Sequence, residues 1–114
     1  MELTIEKIQE LQESYGVTKT QKGIESGDIW KFEGSVGRFA MECLEAGICF
    51  LGTEATFDYY GNRLPPRDEI DLSYTTKGTL ENAQAFWQKV WDGDFDCIES
   101  LENCFGYEPE DEVL

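Results

Sequence analysis

Histidine is absent from all 114 residues. Its absence removes the commonest general base, the usual partner of a Ser or Cys nucleophile and the commonest metal ligand. Bases are scarce, 9 Lys and Arg against 24 acids, and none follows Lys89. Nucleic-acid binding rests on basic side chains displacing counterions, so a chain of formal charge −15 repels nucleic acid and anionic membranes alike. No apolar run approaches the roughly 18–20 residues of a membrane span. The start, Met1 to Glu6, has neither a basic n-region nor an apolar h-region, so no secretory signal is read and the expected location is the cytoplasm. No Gly-Lys-Ser/Thr sequence occurs, and Gly23, Gly27, Gly34 and Gly37 do not form a phosphate-cradling loop.

The 4 cysteines lack the spacing of a zinc site, which normally shows a pair two to four residues apart. Cys43, Cys49, Cys97 and Cys104 are expected to be buried free thiols, and neither metal nor cofactor is expected.

What is present is acid, gathered at one end. From Asp92 onward come 9 carboxylates: Asp92, Asp94, Asp96, Glu99, Glu102, Glu108, Glu110, Asp111 and Glu112. Charge of one sign at one end costs self-repulsion, and so points to solubility, a cationic partner or a metal. Against the calcium option, a loop starting at Asp92 has oxygens at its first, third and fifth positions. It then places Cys97 where the sharp-turn Gly belongs and Asn103 where the bidentate Glu belongs. Asp68, Glu69 and Asp71 are the other conceivable pair-forming acids, but nothing fixes a cleft around them, and no enzyme is expected. Tyr59, Tyr60 and Arg63 sit where aromatic, Pro and basic residues crowd together, and are candidate anchors for a protein partner.

Apolar content of 40% and aromatic content of 13% exceed what a disordered chain carries. The spacing of Ile5, Ile8, Leu11 and Tyr15 predicts a helix capped by Thr4 and stopped by Gly16. Further helices are predicted over Val36 to Ala46 (cap Ser35, stop Gly47), Leu80 to Trp91 (cap Thr79) and Phe95 to Phe105. Strands are expected at Val17–Lys22, Ile29–Glu33, Ile48–Leu51, Ala55–Tyr60 and, returning in a hairpin, Ile70–Thr75. Trp30, Trp87 and Trp91 are assigned to the core. On the last helix, Phe95, Ile98, Leu101 and Phe105 are placed on the apolar side, with Asp92, Asp96, Glu99 and Asn103 opposite. The expected fold is a single α+β domain over residues 1–108, about four helices on one face of a small, mainly antiparallel sheet of about 4–5 strands. Residues 109–114 are read as an acidic tail.

In size, charge and lack of catalytic residues, the chain resembles the small acidic inhibitors of phages and mobile elements. Anti-CRISPR and antirestriction proteins of the nucleic-acid-mimic kind are examples, and immunity proteins that neutralise nuclease toxins look similar. The resemblance is compositional and transfers no residue roles. It implies a basic protein partner, a nucleic-acid enzyme such as a nuclease; by their charge, the C-terminal carboxylates are the residues expected to meet it. The alternative is an immunity protein or general interaction subunit whose acidity serves only solubility.

Overall fold

The computed structural model describes residues 3–31 and 34–105. Five α-helices dominate these residues: α1 (Ile5–Ser14), α2 (Thr18–Ser26), α3 (Ser35–Ala46), α4 (Leu80–Trp91) and α5 (Phe95–Phe105). The sheet of about 4–5 strands is not formed. Among the described residues there is one antiparallel pair, β1 (Thr56–Phe57) and β2 (Arg63–Leu64), with Thr56 opposite Leu64 and Phe57 opposite Arg63. Short 3-10 turns cover Asp28–Lys31 and Arg67–Glu69. No helix among the described residues is long and apolar enough to cross a membrane.

The helices follow their caps. The Thr4 hydroxyl accepts the Lys7 N–H at 3.1 Å and starts α1. Thr79 accepts from the Asn82 N–H at 3.1 Å to start α4, while its own hydroxyl donates to the Thr76 carbonyl at 2.7 Å. Helix α3 starts one residue earlier than expected, with Gly34 rather than Ser35 as N-cap, and Gly47 ends it in the left-handed region.

The strand expectations fail for identifiable reasons. Val17–Lys22 belongs to α2 and its N-cap, because the buried set is Val17, Gln21 and Ile24, spaced four and three apart. The helical period was hidden because one of the three buried positions is a glutamine. Ile29–Lys31 is part of a 3-10 turn; Phe32 and Glu33 lie outside the described residues.

Ile48–Leu51 is buried and threads the core without a neighbouring strand: backbone carbonyls of Cys43 and Gly78 accept the Cys49 and Leu51 N–H groups, and side chains satisfy the Ile48 carbonyl and Phe50. The Gln21 amide accepts the Phe50 N–H at 3.0 Å and donates to the Phe50 carbonyl at 2.9 Å. Gln12 and the Trp87 indole both donate to the Ile48 carbonyl at 3.0 Å. Gln12 also donates to Gln21 at 3.0 Å, which locks α1, α2 and this segment together. Burying such amides costs several kcal/mol only when they lack partners, and here they are paired.

The hairpin closes early. Asp58 accepts the N–H groups of Tyr60 at 2.9 Å and Asn62 at 2.8 Å, so the chain turns at 58–62 and returns as β2. Ile70–Thr75 is not the returning strand. Asp71 accepts from the Ser73 N–H at 3.0 Å and hydroxyl at 2.7 Å, and its carbonyl takes the N–H groups of Tyr74 and Thr75. Such local side-chain bonds compete with a ladder and win here.

The core gathers Ile8, Val17, Ile24, Trp30, Leu44, Phe50, Trp87 and Leu101, with Phe39 and Phe105 packed edge-on against each other at 5.3 Å. Each large side chain taken from water contributes about 1.5–3 kcal/mol. Not every large apolar side chain is in it, and Trp91, assigned to the core above, is not. Val36, on α3, is exposed, and Trp91, at the end of α4, is 53% exposed, with the Lys7 ammonium 4.6 Å over its ring.

Candidate functional site

Helix α5 carries the acidic surface. Its inward stripe is Cys97, Ile98, Leu101 and Phe105, and it packs chiefly on α4. Phe95, expected on that stripe, is 74% exposed and shares the solvent side with the carboxylates. The reason is angular. At 100° per residue, Leu101 and Phe105 centre the buried face well away from Phe95, whose nearest neighbours on the wheel are Glu102 and Glu99.

Asp92, Asp94, Asp96, Glu99 and Glu102 are all exposed. Asp94 has a structural task, accepting the Cys97 N–H at 3.0 Å to cap α5. A carboxylate there also favours the positive end of the helix dipole. Asp92 accepts from the Gln88 side chain at 3.2 Å. Asp96, Glu99 and Glu102 have no such bonds among the described residues. The 4 ion pairs of the described residues, Lys7–Glu10, Lys31–Asp28, Arg63–Glu69 and Lys77–Glu45, include none of the acids of 92–102. Lys89, in the last turn of α4, is the base felt at Cys97, where it partly offsets Asp94 and Asp96. Glu108, Glu110, Asp111 and Glu112, and the expected tail over 109–114, lie outside the described residues.

The hairpin candidates are only partly available. Arg63 is held by Glu69 in a two-pronged pair at 3.1 and 3.0 Å, which raises the guanidinium pKa and lowers that of the carboxyl. Tyr59 and Tyr60 meet edge-on at 5.0 Å and are exposed. They line a cavity of about 500 Å³ together with Trp30 and Arg38, and none of the described C-terminal acids borders it. The described candidate partner-binding residues are therefore not gathered at one cavity.

Two features were missed in the sequence. Trp91 and Phe95 flank the α4–α5 corner as exposed rings beside Asp92, Asp94 and Asp96. The signal was Phe95 standing between two acids directly after Gly93. The second is an acidic cleft of about 340 Å³ between α1 and α2, bordered by Glu6, Glu10, Glu13 and Glu25. A strand over Val17–Lys22 forms no such cleft; the helix does.

Three of the cysteines are held toward their protonated form. All four are free thiols, but only Cys43 and Cys49 are buried; Cys97 is half-buried and Cys104 exposed, against expectation. Cys49 is held protonated first by its hydrogen bond with Cys43 and then by burial. Desolvation, followed by nearby negative charge, raises Cys97 and Cys104 as well. Among the described residues no three acids or cysteines converge as a metal ligand set. No family model, curated protein or solved structure matches the chain.

Proposed function

We propose that this chain is a non-enzymatic acidic binding protein that occupies the basic, nucleic-acid-binding surface of a partner protein, such as a nuclease, and blocks it. The observation that carries the reading is the exposed row Asp96, Glu99 and Glu102, with which no lysine or arginine among the described residues forms an ion pair. Three-residue steps space these charges about 4.5 Å along the helix axis. A nucleic-acid strand carries one charge per roughly 3.4 Å, so a groove built for phosphates meets a comparable linear density here. Trp91 and Phe95 supply apolar anchors beside that row, because charge alone does not choose among basic proteins. Glu108, Glu110, Asp111 and Glu112 extend the same sign and steer the encounter, raising on-rate more than affinity. The free thiols are compatible with action in the reducing cytoplasm.

Affinity capture tests the proposal, using wild type and a variant carrying Asp92→Asn, Asp96→Asn and Glu99→Gln. The expected result is a nucleic-acid-binding protein retained by wild type, lost with the variant and displaced by competing duplex. Equal capture by both, or indifference to duplex, contradicts it.

A second reading, an immunity or interaction subunit whose acidity serves only solubility, is favoured by exposed apolar side chains that do not belong to α5. Tyr74 is 89% exposed and Leu72 lies nearby in the chain. On that reading the neutralised variant keeps its partner, while Tyr74→Ala loses it.

A further inference from the structure

We propose that the α4–α5 corner, residues 91–96, is a docking surface for arginine side chains of a basic protein partner. Guanidinium groups stack on Trp91 and Phe95 and pair with the carboxylates between and beside them. This rests on the acidic-surface reading above, and adds which cation the partner brings and which lysine of this chain it displaces.

Trp91, Asp92, Gly93, Asp94, Phe95 and Asp96 are six consecutive residues, all of them exposed. The Gly93 N–H donates to the Val90 carbonyl at 3.0 Å and the Asp94 N–H to the Lys89 carbonyl at 2.8 Å, with Gly93 in the left-handed region, so the turn is fixed in advance. A Cβ built at Gly93 would meet nothing within 4 Å, so the described chain leaves the turn uncovered there.

Rings alternating with carboxylates restrict the occupant. A purely apolar partner would strip water from three carboxylates and pair none of them. A bare metal ion finds no ligand set, because among the described residues no three acids converge. A guanidinium suits both kinds of side chain. It is planar and weakly hydrated, stacks on aromatic faces and offers carboxylates a fork of donors.

One cation already sits at this corner. The Lys7 ammonium lies 4.6 Å over the Trp91 ring while it pairs with Glu10 at 3.2 Å. A face of Trp91 is therefore presented where a cation reaches it, yet Lys7 forms no ion pair with Asp92, Asp94 or Asp96. Lys89 adds an opposing charge nearby and likewise joins no ion pair among the described residues. An arriving arginine takes the ring from Lys7, which keeps Glu10, and gains the carboxylates that Lys7 leaves unpaired.

The test titrates the full chain with two capped peptides of equal length, homo-arginine and homo-lysine, by calorimetry and NMR. We expect the arginine peptide to bind about fivefold or more tightly, and Trp91→Leu to remove that preference while leaving homo-lysine binding in place. In the free protein the Trp91 ring current displaces the Lys7 ε-methylene resonances, and the arginine peptide should return them toward ordinary values. Lys7→Gln should tighten arginine binding more than Lys31→Gln, which removes the same charge elsewhere. Should Trp91→Leu not fold, the Lys7 resonances decide the matter in the unaltered chain. Equal binding of the two peptides, or Lys7 resonances unmoved at saturation, overturns the proposal. If that binding is still lost with Asp92→Asn, Asp96→Asn and Glu99→Gln, the acidic-surface reading survives it; binding of neither peptide overturns both.

Discussion

Gln21 stands in for a strand. Its amide uses every hydrogen-bonding position it has, toward Phe50, Gln12 and Glu25, so that a fully buried apolar segment keeps its backbone paired. Gln21→Leu is therefore expected to destabilise the protein despite adding apolar bulk. It strands the N–H and carbonyl of Phe50, and urea denaturation should register a loss of about 2–4 kcal/mol. A neutral result would mean water or a backbone shift rescues Phe50. Asp58 is the second telling residue. The backbone N–H of Asn62 is the main cause of its lowered pKa. Because the folded pKa lies below the unfolded one, the turn's contribution is present above the unfolded carboxylate range. It is lost as pH falls through the folded value. Amide resonances of Tyr60 and Asn62 should stay put down to about pH 4 and move below it. Movement centred well above pH 4 would break the assignment.

At the scale of elements, α5 is a thin-cored helix with one buried stripe. Leu101→Ala should cost about 2–5 kcal/mol, while Phe95→Ala should change stability by no more than about 0.5 kcal/mol. Thermal or urea melts decide this, and equal losses would return Phe95 to the core. Helices α3 and α4 meet at Gly47, where a Cβ would sit 2.6 Å from the Asn82 carbonyl oxygen; at Gly34 it would meet nothing. Both glycines have positive φ, so Gly47→Ala should cost clearly more than the roughly 1–3 kcal/mol of backbone strain that bounds Gly34→Ala. The four expected helices were legible because each carries a cap or stop in its own sequence: Thr4, Thr79, Gly47, and the Asp94 that precedes Phe95. The fifth, α2, was not. Val17, Thr18 and Thr20 look like a strand until Gln21 is known to be buried, and sequence patterns count glutamine as solvent-facing. The missing sheet has the same origin. Asp58, Asp71 and the two buried glutamines take the backbone bonds that a ladder would have used.

Across the whole molecule, the charge imbalance was readable from composition, but its arrangement was not. The sequence placed acid at one end; the fold adds the α1–α2 cleft and turns two aromatic rings outward beside α5. Tying up Arg63 with Glu69 removes one expected anchor, and Tyr59 and Tyr60 border a separate cavity. The central claim is that the α5 carboxylates form a working electrostatic surface. Its most direct test is the dissociation constant for the captured partner between 0.05 and 0.5 M salt. Over that range the Debye length falls from about 14 Å to about 4 Å. We predict at least a tenfold weakening for wild type and a much flatter dependence for the Asp92→Asn, Asp96→Asn, Glu99→Gln variant. An affinity unmoved by salt, or identical slopes for the two proteins, would contradict the account.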